Sequence, residues 1–348
     1  MTPTANAASP VDRRAPEKSG APIDCVLFDL DGVVYHGPDP ISGAVEGIAW
    51  LHEQSIPVNY VTNNATRTAE VVADHISTLG IRTTPAEVTT SAQVLAGQLA
   101  AKFGTGAPIY LVGTTGLATA LTTAGLTVTG TLDDEPVAIA QGLDPDIDYT
   151  TIVAACEAIE SGLEWWATNP DYSMVGPRSR VPGNGAFIDM LSRLTGVQPT
   201  IVGKPSPHMM DFAAHRIGAK RPLMIGDRLD TDIEGGNAAG FETALVLTGV
   251  HDIHDALTAR PGLRPTSILP SLRSLPTLIA DSAQPAPGPS AEDASGTAAC
   301  RIVDGELHLD EPARTEVSTV ENALRLAWEA MDRGEDVAPG NLPRRIHD

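Results

Sequence analysis

Two aspartates that could do chemistry follow an apolar segment near the start of the sequence. Asp29 and Asp31 come directly after the run Cys25 to Phe28, and Gly32 follows them. The apolar run is typical of a buried parallel strand, and two carboxylates two positions apart on an extended chain point to the same side. In α/β proteins, ligands bind at the carboxyl ends of such strands. Carboxylates this close need a cation, a shared proton or open water, so the pattern indicates either a metal-dependent site or a solvated turn.

A hydroxyl and two amides follow the second predicted strand. Thr62, Asn63 and Asn64 come after the segment 57–61, and a helix is predicted from about Thr66 to Leu79. The side chains and the free backbone amides at this strand end could hold phosphate oxygens. Asn64 or Thr66 could also serve only as a cap of the helix.

A lysine and an acidic cluster complete the set of residues that could do chemistry. Lys204 lies between a glycine and a proline at the head of a predicted helix, where it could neutralise a phosphate or a carboxylate, or could simply be solvated. Asp227, Asp230 and Asp232 follow the predicted strand 222–225. Helix capping and the helix dipole account for one carboxylate there, but not for three. A hard cation such as Mg²⁺, which prefers oxygen ligands, accounts for the cluster.

The four segments together resemble the motifs of the haloacid dehalogenase (HAD) superfamily, in the order of that family. Asp29-Leu30-Asp31-Gly32 is similar to the first motif, Thr62 to the second, Lys204 to the third, and the segment from Gly226 to Asp232 to the fourth. Each motif is short, but the ordered set is specific. The resemblance covers about residues 23–280 and implies an α/β fold, with a Rossmann-like core built on a parallel sheet.

The resemblance also implies a chemistry and a role for each residue. It implies phosphoryl transfer with Mg²⁺ as cofactor, a nucleophile at Asp29, and an acid and base at Asp31. The metal would be held by the Asp29 carboxylate, the Asp31 main-chain carbonyl and Asp227, with Asp232 supporting them from behind. The substrate phosphate would be bound by Thr62, Asn63, Asn64 and Lys204.

Motif spacing predicts where a second domain is inserted. Asp31 and Thr62 are too close in sequence for a domain between them, whereas the interval from Thr62 to Lys204 has room for a whole α/β domain. We therefore expect a core at 23–82 and 198–280 and an α/β cap domain at 83–197. With the strings Val61–Asn64, Ala167–Asp171 and Gly203–Pro205, this arrangement resembles the branch of NagD and the p-nitrophenylphosphatases.

The cap is expected to choose the substrate. In this branch a cap segment closes over the leaving group, and the matching stretch here is polar and rich in Gly and Pro, which suits a small hydrophilic alcohol. An ordinary surface loop is the alternative for each of its residues. The cap residues predicted to determine specificity are Asn169, Asp171, Tyr172, Arg178 and Arg180.

The two ends of the chain have different character. Residues 1–22 are predicted to be disordered, and residues 281–299, composed largely of Ala, Pro, Ser and Gly, are predicted to be a linker. Residues 300–348 indicate a small ββα module, with an Asp304-Gly305 hairpin turn and a capping box at Ser318–Glu321. So short a module can hardly hold a core alone, so we expect its apolar helix face to pack on the main body or on another subunit.

Composition excludes some classes of protein. A formal charge of −21 argues against a general nucleic-acid binder. Three widely spaced cysteines indicate a reducing compartment and no cysteine metal site. No segment has the length and hydrophobicity of a membrane span. These features predict a cytoplasmic protein and leave a homo-oligomer open, and the resemblance to HAD phosphatases implies a small phosphorylated metabolite as partner.

The leading functional hypothesis is a Mg²⁺-dependent phosphatase that hydrolyses small phosphomonoesters through an aspartyl-phosphate. Members of the resembled branch with a C-terminal extension include glycerol 3-phosphate phosphatases, so glycerol 3-phosphate or a similar polyol or sugar phosphate is the expected substrate. A pyridoxal phosphate or nucleotide phosphatase is the enzymatic alternative. A phosphate-binding regulator or scaffold is the alternative from a different class.

Overall fold

The structure, a computed structural model, describes residues 22–176, 178–282, 299–310 and 315–347. The chain forms two compact units: the first joins the segment up to Val58 to the segment from Ala219 onwards, and the second is Asn59–Gly218. The predicted disordered segment 1–22 lies outside the described residues apart from Pro22. The predicted linker 281–299 lies outside them except at residues 281, 282 and 299. The predicted boundaries of core and cap stay a prediction.

The helices and strands follow in chain order. The strands are β1 (Cys25–Phe28), β2 (Tyr35–His36), β3 (Asp39–Pro40), β4 (Val58–Thr62), β5 (Val88–Thr90), β6 (Pro108–Val112), β7 (Thr127–Thr129), β8 (Ala138–Gln141), β9 (Glu164–Ala167), β10 (Ser173–Val175), β11 (Arg180–Pro182), β12 (Thr200–Ile201), β13 (Pro222–Gly226), β14 (Glu242–Val246), β15 (Ser267–Leu269), β16 (Cys300–Val303) and β17 (Glu306–Leu309). The α-helices are α1 (Ala44–Glu53), α2 (Ala69–Thr78), α3 (Ser91–Phe103), α4 (Thr115–Thr123), α5 (Tyr149–Glu160), α6 (Asn184–Thr195), α7 (Pro207–Ile217), α8 (Glu234–Ala239), α9 (Ile253–Leu257), α10 (Leu275–Ser282) and α11 (Val317–Asp332).

The first unit is built on parallel strands in the order β15-β14-β13-β1. Every residue of these strands is buried, which explains why apolar and polar residues do not alternate in their sequences. Charged or hydroxyl side chains occur in them only at the starts of β14 and β15, at Glu242, Thr243 and Ser267. The register pairs Phe28 with Ile225, and the Asp29 N–H donates to the Ile225 carbonyl at 2.9 Å. The strands β1 and β13 therefore end side by side, and the residues that follow them leave the sheet together.

The second unit contains a five-stranded parallel sheet in the order β12-β9-β8-β6-β7, and also the parallel pair β4–β5. Its core includes Tyr110, Ile139, Trp165 and Ile188 from the strands and helix α6. In this sheet Gln141 pairs with Ala167, so the carboxyl ends of β8 and β9 lie level. Parallel sheets with crossover helices confirm the predicted α/β class.

The stretch from residue 169 to 185 is more regular than the sequence suggests. It is polar and rich in Gly and Pro, yet it contains the antiparallel hairpin β10–β11, in which Met174 pairs with Val181. The strands are three residues long each, and Gly and Pro around them conceal the alternation by which strands are normally recognised.

The C-terminal segment shares the core of the first unit. Asp304 and Gly305, with φ of 51° and 78°, form the predicted hairpin turn between β16 and β17. Leu307 and Leu324 are buried in one cluster with Leu245 of β14 and with residues of α9. The prediction that the apolar face of the last helix packs on the main body is confirmed.

The predicted capping box of that last helix is wrong. Helix α11 begins at Val317, with Glu316 in the capping position, so Ser318 lies inside the first turn. Glu321, expected to bond back to the start of the helix, instead accepts a hydrogen bond from the Ile268 N–H at 2.8 Å. A partner on β15 therefore replaces the local one.

No helix in the described part of the chain combines the length and hydrophobicity needed to cross a bilayer.

Candidate active site

Three carboxylates meet at the ends of β1 and β13 in the first unit. Asp29, Asp227 and Asp232 each offer an oxygen, and these oxygens lie within 4.8 Å of one another. Asp29 is half-buried, whereas Asp227 and Asp232 are buried. Carboxylates packed this closely away from water repel one another, so their ionised forms need a cation between them.

The Asp227 carboxylate is enclosed by backbone. Its Oδ2 accepts the Val250 N–H at 2.8 Å, and its main-chain carbonyl accepts the His251 N–H at 3.1 Å. A Cβ atom added at Gly249 would lie 2.0 Å from Asp227 Oδ2, and one at Gly32 would lie 2.4 Å from it. Both positions therefore require glycine, and Gly32 also has a φ of +86°.

Asp232 is held by a turn of π-helix over Leu229–Ile233. Its Oδ2 accepts the Arg228 N–H at 3.1 Å, and a Cβ at Gly226 would lie 2.1 Å from the Asp232 Cβ. Asp230 belongs to a different group, because it pairs with Arg228 through hydrogen bonds of 3.0 and 2.8 Å. Burial raises the pKa of Asp230, but the hydrogen bonds and charge of Arg228 outweigh it and keep that pKa below its usual value.

The donor set of this cluster fits Mg²⁺. All three side chains offer carboxylate oxygen, which hard divalent cations prefer, and no imidazole or thiolate stands among them. Two of the three are buried, so a bound cation would offset charge that water reaches poorly. The predicted metal residues Asp29 and Asp227 are thus brought together, with Asp232 beside them.

Asp31 stands on a closed turn with its side chain exposed. The Leu30 carbonyl accepts the N–H groups of Val34 and Tyr35 at 2.9 and 3.1 Å, and Gly32 donates to the Tyr35 carbonyl at 3.0 Å. The Thr248 hydroxyl donates to the Gly32 carbonyl at 2.8 Å. The backbone is fixed while the Asp31 carboxyl reaches solvent, which is the arrangement that a group exchanging protons needs.

A loop that sequence reasoning missed, Leu247–Val250, packs around the carboxylate cluster of Asp29, Asp227 and Asp232. It supplies the Thr248 hydroxyl, the Gly249 backbone and the Val250 N–H described above. Arg345, from the C-terminal segment, donates to the Leu247 carbonyl and, at 2.8 Å, to the Gly249 carbonyl. The position of the loop directly after β14 was its only signal in the sequence.

The second unit holds the predicted lysine in a buried amide clamp. Asn63 Oδ1 accepts the Lys204 N–H at 2.8 Å, and Asn63 Nδ2 donates to the Lys204 carbonyl at 3.1 Å. Lys204 is buried, and its Nζ donates to the Val61 carbonyl at 3.2 Å. A Cβ at Gly203 would lie 2.6 Å from Asn63 Oδ1, which explains why glycine precedes the lysine. The predicted residues Asn63 and Lys204 are therefore in contact.

Thr62 and Asn64 have more local partners. The buried Thr62 hydroxyl oxygen accepts the Asn64 N–H at 3.1 Å. Asn64 is exposed, and its Oδ1 accepts both the N–H and the hydroxyl of Thr66, at 2.8 and 2.7 Å. Neither Asn64 nor Thr66 caps the next helix, because Thr68 occupies that position and accepts the Val71 N–H.

The predicted specificity residues fall into two sets. Asn169 Nδ2 donates to the Asn63 carbonyl at 2.8 Å, and Asp171 Oδ1 accepts from Asn63 Nδ2 at 3.3 Å, so both belong with the lysine clamp. The remaining three are exposed on or beside the β10–β11 hairpin, namely Tyr172, Arg178 and Arg180. Their part in specificity stays a prediction.

Two family models match the chain. The model described as haloacid dehalogenase-like hydrolase matches residues 26–127, and the one described as HAD-hydrolase-like matches residues 201–275. A curated relative, D-glycerol 3-phosphate phosphatase of Mycobacterium tuberculosis, is 39% identical over 310 residues, which are 88% of this chain and 86% of the relative. The chain therefore belongs to the haloacid dehalogenase-like hydrolases.

Solved structures place it within that family. A glycerol phosphate phosphatase of M. tuberculosis in complex with magnesium has a TM-score of 0.78 and 37% identity, and the match covers 88% of this chain and 91% of that one. NagD of Escherichia coli K-12 has a TM-score of 0.66 and 31% identity, with 72% of this chain and 98% of that one covered. The predicted family and its NagD-like branch are confirmed.

Proposed function

We propose that this protein is a Mg²⁺-dependent phosphatase that hydrolyses small phosphomonoesters, with glycerol 3-phosphate as its preferred substrate. The observation that carries the proposal is the cluster of Asp29, Asp227 and Asp232 at two adjacent strand ends, next to the exposed Asp31. A binding protein or scaffold would have no need of a reachable nucleophile, a proton donor and a metal-binding set together.

In the first half-reaction, Asp29 attacks phosphorus. A carboxylate nucleophile needs no neighbouring base, and the bond from Asp29 to phosphorus forms as the bond to the substrate alcohol breaks. Asp31 gives its proton to the departing alkoxide. The products of this step are a free alcohol and an aspartyl-phosphate on Asp29.

In the second half-reaction, water replaces the enzyme on phosphorus. Asp31, now ionised, takes a proton from the water as it attacks, and the Asp29 carboxylate leaves. Inorganic phosphate is released and both aspartates return to their starting states. One carboxyl thus serves as acid and then as base, which suits a group that is fixed at its backbone and open to solvent.

Metal and phosphate are held by separate groups in this proposal. Mg²⁺ would be held by the carboxylates of Asp29 and Asp227 and by the Asp31 main-chain carbonyl, with Asp232 beside them. When bound, the ion offsets charge on the transferred phosphoryl group. Lys204 and the Thr62 hydroxyl, with Asn63 and Asn64 at the same strand end, would bind the phosphate oxygens. A cation and hydroxyl donors are typical of such sites.

The choice of glycerol 3-phosphate is supported by similarity and by chemistry. The relative that matches most of both chains is named for that substrate. The polar character of Asn169 and Asp171, beside the lysine clamp, suits a small alcohol with free hydroxyl groups. Asp31 suits an alkyl phosphate because an alkoxide leaves poorly without a proton.

Phosphate release from a substrate panel tests the proposal. The panel contains glycerol 3-phosphate, sugar phosphates, phosphoglycolate, pyridoxal phosphate and nucleoside monophosphates, each with and without Mg²⁺. We expect metal-dependent turnover with the highest kcat/KM for glycerol 3-phosphate. A preference for pyridoxal phosphate or a nucleotide would show that glycerol 3-phosphate is not the preferred substrate. If the folded protein hydrolysed no phosphomonoester, the proposed activity would be overturned.

Gly249→Ala should weaken magnesium binding. The added Cβ would lie 2.0 Å from Asp227 Oδ2, so either the carboxylate or the loop has to move. Changes around metal ligands typically cost 10–100-fold in affinity, and we expect a loss of about that size, measured by calorimetry with Mg²⁺ and by the Mg²⁺ dependence of turnover. Gly130→Ala is the matched control, because a Cβ there meets nothing within 4 Å. Equal Mg²⁺ affinity in both variants would show that Asp227 is not a ligand of the metal ion.

We also propose a cytoplasmic location. Cys25, Cys156 and Cys300 are free, as is usual in a reducing compartment. Burial raises the pKa of the Cys25 thiol to about 12, so it stays protonated and inert. Cell fractionation tests the location, and the oligomeric state stays a prediction.

A further inference from the structure

A buried chain of side-chain amides runs through the second unit. The Trp165 indole N–H donates to Gln141 Oε1 at 2.9 Å, and Gln141 Nε2 donates to Asn184 Oδ1 at 3.2 Å. Asn184 Nδ2 then donates to the Asn169 main-chain carbonyl at 2.8 Å. All four residues are buried, although none of the bonds joins neighbours in the sequence. We call this set the amide relay.

The direction of the relay is fixed at both ends. An indole N–H can only donate and a main-chain carbonyl can only accept. Gln141 must therefore present its oxygen to Trp165 and its nitrogen to Asn184, and Asn184 must present its nitrogen to Asn169. No amide can turn over without breaking two hydrogen bonds, so the relay has a single arrangement.

The relay ends at the lysine clamp. Asn169 Nδ2 donates to the Asn63 carbonyl at 2.8 Å, and the Ser91 hydroxyl donates to the same carbonyl at 2.6 Å. The Asn63 side chain in turn bonds both the N–H and the carbonyl of Lys204. A displacement of Asn169 would therefore displace Asn63. It would also displace the backbone N–H and carbonyl of Lys204, which the Asn63 side chain binds.

The elements of the second unit explain where the relay is anchored. Gln141 is the last residue of β8, Trp165 lies on the neighbouring β9, and Asn184 is the first residue of α6. Asn169 follows β9 by two residues. The five-stranded sheet and α6 thus supply attachment points for the loop that carries Asn169, in addition to the bonds of that loop to Asn63.

We infer that Gln141, Asn184 and Trp165 are positioning residues, which set the place of Lys204 through Asn169 and Asn63 without touching the substrate. The inference rests on the proposed function, because it takes Lys204 as a residue that binds the substrate phosphate. Its consequence is that side chains on β8, β9 and α6, which do not touch the substrate, control the affinity of the enzyme for phosphate. Misplacement of a reacting or binding group by about 1 Å can cost on the order of 10²-fold in rate.

Asn184→Asp is the sharpest test of the relay. The variant keeps the shape of the side chain and can still accept from Gln141, but it places a carboxylate oxygen against the Asn169 carbonyl. Gln141→Glu makes the corresponding change one step earlier. For both variants we expect the Kd for inorganic phosphate, measured by calorimetry, and the KM for glycerol 3-phosphate to rise by about 10-fold, the loss that one buried hydrogen bond predicts.

A matched control separates position from added charge. Gln198→Glu makes the same amide-to-acid change at an exposed site of the same unit, and we expect its phosphate Kd to equal that of the wild type. A merely structural role would lower the unfolding temperature and the active fraction, and so the apparent kcat, but it would leave the phosphate Kd unchanged.

A double-mutant cycle tests whether the relay acts through the lysine. In a Lys204→Met background, Asn184→Asp should have no further effect on phosphate affinity, because the group it positions is gone. If Asn184→Asp does not fold, Trp165→Phe removes only the first donor and should shift the phosphate Kd in the same direction.

The outcomes are distinguishable from failure of the proposed function. If the wild type hydrolyses phosphomonoesters but Asn184→Asp and Trp165→Phe bind phosphate as the wild type does, the relay is overturned. The same holds if the loss of affinity persists in full without Lys204. If the wild type itself hydrolyses no phosphomonoester, the proposed function fails first.

Discussion

Asp29→Asn should abolish phosphate release from every phosphomonoester while leaving the protein folded. An amide cannot form the acyl phosphate. In the proposed mechanism water attacks only that intermediate, so without it no phosphate is released. Loss of a catalytic nucleophile costs on the order of 10⁶-fold in kcat where it has been measured in a serine protease, and we expect a loss of this order. The half-buried position of Asp29 at a strand end tolerates the isosteric change.

The covalent intermediate separates a nucleophile from a metal ligand. Wild-type enzyme quenched during turnover of a phosphate-labelled substrate should carry label that hydroxylamine releases, whereas Asp29→Asn should carry none. Asp230→Asn is the matched control in the same unit, since Asp230 is engaged by Arg228 and stands outside the carboxylate trio. If Asp29→Asn retained a labelled acyl phosphate, the nucleophile would be a different carboxylate.

The ordered motifs allowed much of the carboxylate cluster to be predicted. Asp29 and Asp227 follow apolar strands, and parallel strands that pair side by side must bring the residues after them together. Which of the nearby carboxylates join the cluster was harder, because Asp230 and Asp232 look alike in sequence. The π-helical turn buries Asp232, while Asp230 is exposed and forms an ion pair with Arg228. That choice depends on local helix geometry, which no spacing rule contains.

The supporting residues were beyond the reach of the sequence for a different reason. The Leu247–Val250 loop supplies mainly backbone groups and the absence of a side chain at Gly249, so it carries almost no chemical signature. Gln141 and Asn184 are polar residues near element ends, where most amides are solvated or cap a helix. Only their burial and their fixed hydrogen-bond direction distinguish them, and both are properties of the folded unit.

The C-terminal segment gains a physical role from its contacts. Its hairpin and helix could not hold a core alone, and they share the core of the first unit instead. Arg344 pairs with Asp252 at 2.7 Å, and Arg345 bonds carbonyls of the loop that encloses Asp227. The segment thus holds the loop that packs around the carboxylate cluster.

Asp31→Asn should affect substrates according to their leaving groups. With glycerol 3-phosphate, the departing alkoxide needs a proton, so we expect kcat to fall by about 10²- to 10⁴-fold, the usual contribution of a general acid. With p-nitrophenyl phosphate, the leaving phenolate is a stable anion. The first half-reaction should then keep most of its rate, and rapid-mixing experiments should show a burst of p-nitrophenol.

The second half-reaction explains why slow steady-state turnover should follow the burst. In the proposed mechanism, hydrolysis of the aspartyl-phosphate uses Asp31 as a base whatever the first leaving group was, so the phosphorylated enzyme should accumulate in the variant. Asp39→Asn, an exposed change in the same unit, should show neither effect. If Asp31→Asn slowed the burst with p-nitrophenyl phosphate as much as it slowed turnover of glycerol 3-phosphate, the role of Asp31 as a proton donor would be overturned.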